Sequence, residues 1–303
     1  MIEFAGVGRT YAPLGGRRVR AVDDMTFTVR AGEVFGIAGP NGAGKSTMIS
    51  MLLGFMSPSE GRVTVDGRAP RQFVEREGIG YLSELVEINP RWRARDAMVR
   101  FAILAGIPAR AMDASVNEAM TLMSLEEHAG KRVKELSKGT RQRLALGQAL
   151  LGDSRVLVLD EPTHGLDPLW TQRFRELVPT LRRPDRAIVI ASHNLDELER
   201  LADRVAIVDR GRLQRIVETR GGVSDTAVTR YRIAYRGGEE AVREVFPGAT
   251  SLAPGEVEVD VAGLEGLNRG LAALIERGVL VVAATPAYSV LEEHFRQAVR
   301  SDA

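Results

Sequence analysis

The chain is 303 residues long, 44% apolar and 27% charged, with 41 basic residues against 40 acidic ones and a net charge of +1. That length accommodates one large domain and a smaller one, and the near balance of charge excludes a global field for nucleic acid or an acidic membrane surface. The absence of cysteine excludes disulfides and thiolate metal sites, and with them any need for an oxidising compartment.

The opening stretch "MIEFAGVGRTY" has neither a charged n-region nor a long apolar core, so no signal peptide is expected. Residues 1–35 predict short alternating strands, "IEFAGV" and "VRAVDDMTFTV", joined by the turn "PLGGRR". "GEVFGIAG" predicts a buried strand that runs into a glycine-rich loop, "GKSTMISMLLGFM" the helix after it, and "SEGRVTVDG" a further strand. From about Asn89 to Leu151 the pattern turns helical, with "DAMVRFAILAGI" and "SVNEAMTLMSL" amphipathic at 3.6-residue spacing. Continuous apolar runs then return as "RVLVLDEP", "AIVIASH" and "RVAIVDRG", which is how strands buried on both faces of a mostly parallel sheet read. "PLWTQRFRELVPTLRR" and "LDELERLA" supply the crossover helices. The helical block therefore interrupts an α/β core.

"ETRGGVSD", from Glu218 to Asp225, reads as a linker. Beyond it "VTRYRIAY", "EVEVDV" and "VLVVAA" predict strands that alternate with the helices "EEAVREV", "LEGLNRGLAALIERG" and "SVLEEHFRQAVRS", a separate small α+β domain. The longest apolar runs, such as "FAILAGI" and "GVLVVAA", fall short of the roughly 18–20 residues that span a bilayer, so the chain reads as soluble and cytoplasmic.

"GPNGAGKST", Gly39 to Thr47, fits the phosphate-loop pattern G-x-x-x-x-G-K-[ST] between a predicted strand and a predicted helix. Gly39, Pro40, Asn41, Gly42, Ala43 and Gly44 would curl so that backbone N–H groups face a phosphate, with Thr47 in the first helical turn. Lys45 would reach the β- and γ-phosphates and Ser46 would offer its hydroxyl to Mg²⁺. Lys45 is one of only four lysines among 41 basic residues, where a compact point charge suits a phosphate better than a planar fork. "RVLVLDEP" ends in Asp160 and Glu161, 115 residues after Lys45, at the end of a buried strand. Asp160 suits Mg²⁺ through water, and Glu161 suits polarisation of an attacking water.

The ordered series "GPNGAGKST", "IGYLSE", "LSKGTRQR", "VLVLDEP", "HGLD" and "IASH" resembles the nucleotide-binding subunit of ABC transporters over roughly residues 1–218. Ser137 of "LSKGT" stands 23 residues before Asp160, where that family carries its signature. The resemblance implies an α/β fold: a P-loop NTPase (RecA-like) core with an antiparallel β subdomain and a helical subdomain inserted at about 85–152. Residues 219–303 would form the small accessory domain. It implies ATP and Mg²⁺ as ligands, with Ser46, Glu84 and Asp160 at the metal, and Lys45, Glu161 and His193 as catalytic groups. Tyr11 would stack on adenine.

In this family two such domains meet head to tail. Ser137, Lys138, Gly139, Thr140 and Asp167 would then complete the ATP site of a second nucleotide-binding domain, identical or paralogous. His128, His164 and His294 match no family function.

Glu84 and Thr140 stand where most relatives have glutamine. Both Glu84 and the "SKG" form resemble the bacterial multidrug, antibiotic, sodium and copper exporter subgroup. Members of that subgroup often close on a pattern similar to "PAYSVLEEHF". The implied partner is a separate transmembrane permease, with Trp92 of "NPRWRARDAM" either a contact for it or packed within the helical block, and with no nucleic acid expected. The implied location is peripheral, on the cytoplasmic face of the plasma membrane. The alternatives are a ribosome- or chromosome-associated ATPase and an ATP-sensing module; the ribosomal type usually fuses two such domains and the chromosomal type inserts a long coiled coil, neither of which this chain has, and Glu161 argues against a pure sensor.

Overall fold

The computed structural model describes residues 1–12, 18–219 and 228–300. The turn expected at 13–18 and the linker expected at 218–225 fall largely outside them. The chain forms two compact units, Met1–Glu218 and Thr219–Ala303.

The first unit carries two sheets. An antiparallel one is built from β1 (Ile2–Tyr11), β2 (Val19–Val29) and β4 (Glu60–Val65), in the order β2-β1-β4. The six-stranded sheet runs β5-β6-β7-β3-β8-β9, from β3 (Val34–Ala38), β5 (Gly80–Leu82), β6 (Val156–Asp160), β7 (Ala187–Ser192), β8 (Arg204–Asp209) and β9 (Arg212–Glu218). All neighbours in it are parallel except the edge pair β8–β9. Strands β3, β6 and β7 are buried at every position, which explains their unbroken apolar runs: helices and the second sheet cover both faces. One continuous core joins the sheets through stacked Phe4, Phe27 and Phe35, at 4.6 and 5.3 Å, and through α1 (Lys45–Leu52), which buries Met48, Ile49 and Leu52.

Between neighbouring strands β5 and β6 the chain leaves the sheet for α3 (Ala94–Leu104), α4 (Ala109–Leu122) and α5 (Lys138–Ala149). These helices pack closely. A Cβ on Gly147 of α5 would lie 3.0 Å from Met123 Cγ and 3.3 Å from Met98 Cε. The return to the core runs through β6, then α6 (Pro168–Thr180), β7, α7 (Leu195–Leu201) and β8.

Four helices and strands of the structure have no counterpart in the sequence reading, among them the three-residue β5, too short to show a pattern. Helix α2 (Pro70–Glu77) buries only Phe73, so it carries no apolar stripe. Strand β9 is an edge strand with three charged residues in seven, "RLQRIVE", whose alternation is weak. Strand β11 (Thr250–Ala253) is exposed at all four positions.

The second unit orders its strands β11-β12-β10-β13, with β10 (Val228–Arg236), β12 (Glu256–Ala262) and β13 (Leu280–Pro286), all antiparallel. Helices α8 (Glu239–Val245) and α9 (Gly263–Glu276) connect them and α10 (Val290–Arg300) follows. With β11 present the path is β-α-β-β-α-β, the ferredoxin-like arrangement. Its core is Tyr231, Ile233 and Tyr235 of β10, Val257 and Val259 of β12, and Leu267 and Leu274 of α9. On the exposed positions of the same strands, Arg230 pairs with Asp260 and Arg232 with Glu258. Among the described residues, no helix is long and apolar enough to cross a membrane.

Strand β5 leads into the segment that carries Glu84, and it rests on α5: a Cβ on Gly80 would lie 2.3 Å from the Ala149 carbonyl oxygen. Gly80→Ala should therefore push β5 off α5 and destabilise the fold by about 1–3 kcal/mol, measured by chemical denaturation.

Candidate nucleotide site

Parallel strands β3, β5, β6 and β7 all end at one edge of their sheet, and the candidate residues collect there. The loop from Gly39 to Gly44 joins β3 to α1. Gly39 has no room for a side chain, since a Cβ would lie 2.4 Å from the Val208 carbonyl oxygen, and Gly44 takes φ +103°, which few other residues adopt. Lys45 is 8% exposed, and its ammonium donates to the carbonyls of Gly39 at 2.6 Å and Pro40 at 3.4 Å, which holds the charge inside the curl. Ser46 is exposed in the first turn of α1. The Tyr11 hydroxyl lies 3.4 Å from Thr47 Oγ1 and from Met56 Sδ, and the Arg9 guanidinium sits 5.2 Å from its ring centroid. Tyr11 is thus placed against α1, beside the loop.

Asp160 and Glu161 end β6 almost fully buried. The Asp160 carboxyl is pushed up to about 7, first by burial, then by the charges of Glu84 and Glu161, against the pull of Lys45. Glu84 is exposed, yet close enough to act on Asp160 and on the half-buried Tyr81, whose phenol is also raised, chiefly by burial. Glu161 takes the left-handed conformation at φ +48°. Its Oε1 accepts from the His193 backbone N–H at 2.9 Å and meets His193 Nδ1 at 2.9 Å, while Oε2 accepts from Ser192 Oγ at 3.2 Å. Ser192 is buried and bound to its neighbours; nothing in the sequence marked it, because a serine that ends an apolar run looks like an ordinary strand terminus.

The signature residues form a second cluster. Ser137 caps α5, accepting from Thr140 N–H at 3.1 Å. Lys138 lies along Gly165, and a Cβ on Gly139 would meet the Gly165 carbonyl oxygen at 3.1 Å, so the turn packs on "HGLD". Asp167 caps α6 through Trp170 N–H at 2.9 Å. Gln142 of α5 ties this cluster to the other, donating to the Pro162 carbonyl at 3.0 Å and the Glu161 carbonyl at 3.4 Å. Only its place one helical turn after Lys138 hinted at that role. Trp92 is half-buried in the helical block with Arg100 over its ring at 4.7 Å. His164 is exposed and His128 half-buried, its imidazole lowered first by burial.

A family model described as ABC transporter matches residues 22–164. The Nod factor export ATP-binding protein I of Rhizobium johnstonii is 38% identical over 213 residues, 70% of this chain and 67% of that protein. The chain belongs to the ABC transporter ATP-binding family. The protein of the same name from Bradyrhizobium diazoefficiens is 37% identical over 212 residues, 69% of this chain and 68% of the relative. Among solved structures, a dimeric ATP-binding cassette in a post-hydrolysis state, bound to ADP and Pi, matches in fold: TM-score 0.67, 24% identity, 73% of this chain and all of that one. Clostridium perfringens cbiO1, part of the ABC transporter complex cbiONQ, matches with TM-score 0.61 and 26% identity over 72% of this chain and 88% of that one. The family matches make the chain an ATP-binding subunit of a transporter and an ATPase, on a P-loop NTPase core.

The residues at the strand edge fit a nucleotide with a divalent cation. Asp160, Glu161 and Glu84 bring three carboxylates together, the charges of Glu84 and Glu161 raising the Asp160 carboxyl and that of Lys45 opposing them. Among the described residues, no three His, Cys, Asp or Glu side chains are placed to hold a metal on their own. A cation here would draw its remaining ligands from phosphate oxygens, a hydroxyl and water, as Mg²⁺ usually does.

Because the folded-state carboxyl of Asp160 is raised from 3.8 to about 7, its burial costs nothing below pH 4 and destabilises the chain progressively as pH rises through 7. Asp160→Asn should therefore melt several degrees above the wild type at pH 8 without nucleotide, the difference vanishing towards pH 4 in thermal scans.

Proposed function

We propose that the chain is the peripheral ATPase of an exporter, that it closes head to tail with a second nucleotide-binding domain around ATP, and that it drives a separate transmembrane permease from the cytoplasmic face of the membrane. The observation that carries the reading is the Glu161 carboxylate, held from both oxygens by Ser192 and His193 beside Asp160, across the sheet edge from the Lys45 loop. Export is supported by the names of the relatives, Nod factor export ATP-binding proteins, and by the subgroup resemblance of Glu84 and "SKG".

In this reading, Gly39 to Thr47 wrap the phosphates with backbone N–H groups and Lys45 neutralises charge on the β- and γ-oxygens. Ser46, Asp160 and Glu84 would hold Mg²⁺, which would supply charge neutralisation for phosphate oxygens. Tyr11 stacks on adenine, which requires its ring to present the face turned away from Arg9. Glu161 accepts a proton from the attacking water while His193, anchored through Nδ1, presents Nε2 towards the γ-phosphate. Ser137, Lys138, Gly139, Thr140 and Asp167 face the partner's ATP, the N-terminus of α5 supplying its free N–H groups to that anion. Residues 219–303 form an accessory domain that supports this dimer.

The permease contact is supported by two exposed apolar side chains. Phe55 is 71% exposed and meets Tyr81 edge-on at 6.4 Å; Leu85, 74% exposed, directly follows Glu84. Apolar groups this exposed beside a site carboxylate suit burial by a partner. The paired Phe55→Ser and Leu85→Ser substitutions should abolish co-purification of the membrane subunit in mild detergent and leave ATP binding by the isolated chain unchanged.

Glu161→Gln should bind ATP, accumulate as a dimer in size-exclusion chromatography and hydrolyse about 10²–10⁴-fold more slowly. Turnover like the wild type would place the base elsewhere; slow turnover with no ATP-dependent dimer would overturn head-to-tail closure.

A further inference from the structure

Glu197 is fully buried, in the first turn of α7. Its Oε2 accepts from Thr163 Oγ1 at 2.5 Å, while its Oε1 is buried with no hydrogen-bond partner. A carboxyl half of whose acceptors are unsatisfied is expensive to bury, and a leucine or methionine would fill the same space without that cost. What the carboxyl does through Oε2 is therefore the reason for its presence.

That bond closes a circuit. Thr163 stands two residues after Glu161. Glu161 Oε2 accepts from Ser192 Oγ at 3.2 Å, Ser192 Oγ accepts from Asn194 N–H at 3.1 Å, and Asn194 Oδ1 accepts from Glu197 N–H at 3.2 Å. Apart from the link between Glu197 and Thr163, the hydrogen bonds seen among the described residues that hold the turn after β6 to β7 and the turn after it run through Glu161. We propose that Glu197 is a positioning residue for hydrolysis, clamping Thr163 so that the backbone turn Glu161–Thr163 keeps the Glu161 carboxylate on Ser192 and His193. The proposal rests on Glu161 being the base. Burial raises the Glu197 carboxyl, opposed by the Thr163 hydroxyl, by Arg175 and by His193 and reinforced by Glu161.

The test is steady-state ATP hydrolysis by the purified full chain. Thr163→Val keeps the shape and removes the donor, so kcat should fall roughly tenfold while KM for ATP stays within about twofold, since substrate binding is untouched. Thr163→Ser, which keeps the hydroxyl, should restore most of kcat. Combining Thr163→Val with Glu197→Met should lose no more than Thr163→Val alone, the signature of two residues acting through one bond. Unchanged kcat in Thr163→Val, equal loss in Thr163→Ser, a KM that rises in step, or additive losses in the pair would each overturn it. Should Glu197→Met fail to fold, judged by circular dichroism, the two Thr163 variants still decide. Glu161→Gln in the same assay separates the two readings: if it turns over normally the base is misplaced, and if it is inactive while Thr163→Val is normal, only the clamp is wrong.

Discussion

Two consecutive carboxylates, Asp160 and Glu161, end strand β6 where water barely reaches, with Glu84 adding a third negative charge from the neighbouring strand's loop and Lys45 opposing them. Like charges this close in a poorly solvated place repel strongly. The protein accommodates them by different means: Asp160 retains a proton to near neutrality, and Glu161 is surrounded by donors, the Ser192 hydroxyl and the His193 N–H and ring. In the proposed function a cation would join this negative charge to the loop shaped for an anion.

The sheet makes this arrangement affordable. Parallel order brings the ends of β3, β5, β6 and β7 to one edge, so residues separated by more than a hundred positions in the chain meet without any long loop having to find them. The helical block between β5 and β6 is more than decoration on that edge. Its α5 begins at the signature turn, and Gln142, one turn in, reaches the carbonyls of Glu161 and Pro162. The helix that begins at the signature turn is therefore bonded to the turn that carries Glu161.

How much of this could be read from the residues follows from how local each signal is. The phosphate loop, β6, β7 and β8 are legible because buried parallel strands are continuous apolar runs and because Gly39 and Gly44 occupy places other residues cannot. Strand β11 was invisible: four exposed residues leave no alternation, and it exists only because β12 offers it a hydrogen-bonding edge. Helix α2, with Phe73 as its one buried residue, fell below any periodic pattern for the same reason. At the site, Lys45, Asp160, Glu161 and His193 stood out by type and position. Ser192 and Gln142 did not, since their importance lies in what they touch across the fold.

Glu161 holds its place in a left-handed backbone conformation, a strain of order 1–3 kcal/mol for a residue with a side chain of that size. Glycine would sit there at ease, and asparagine nearly so. With Glu161 as the proposed base, stability and turnover pull in opposite directions at one position: the residue suited to that chemistry is poorly suited to the turn. Under that proposal, selection for a more heat-resistant form of this chain would find relief at position 161 and forfeit the reaction in taking it.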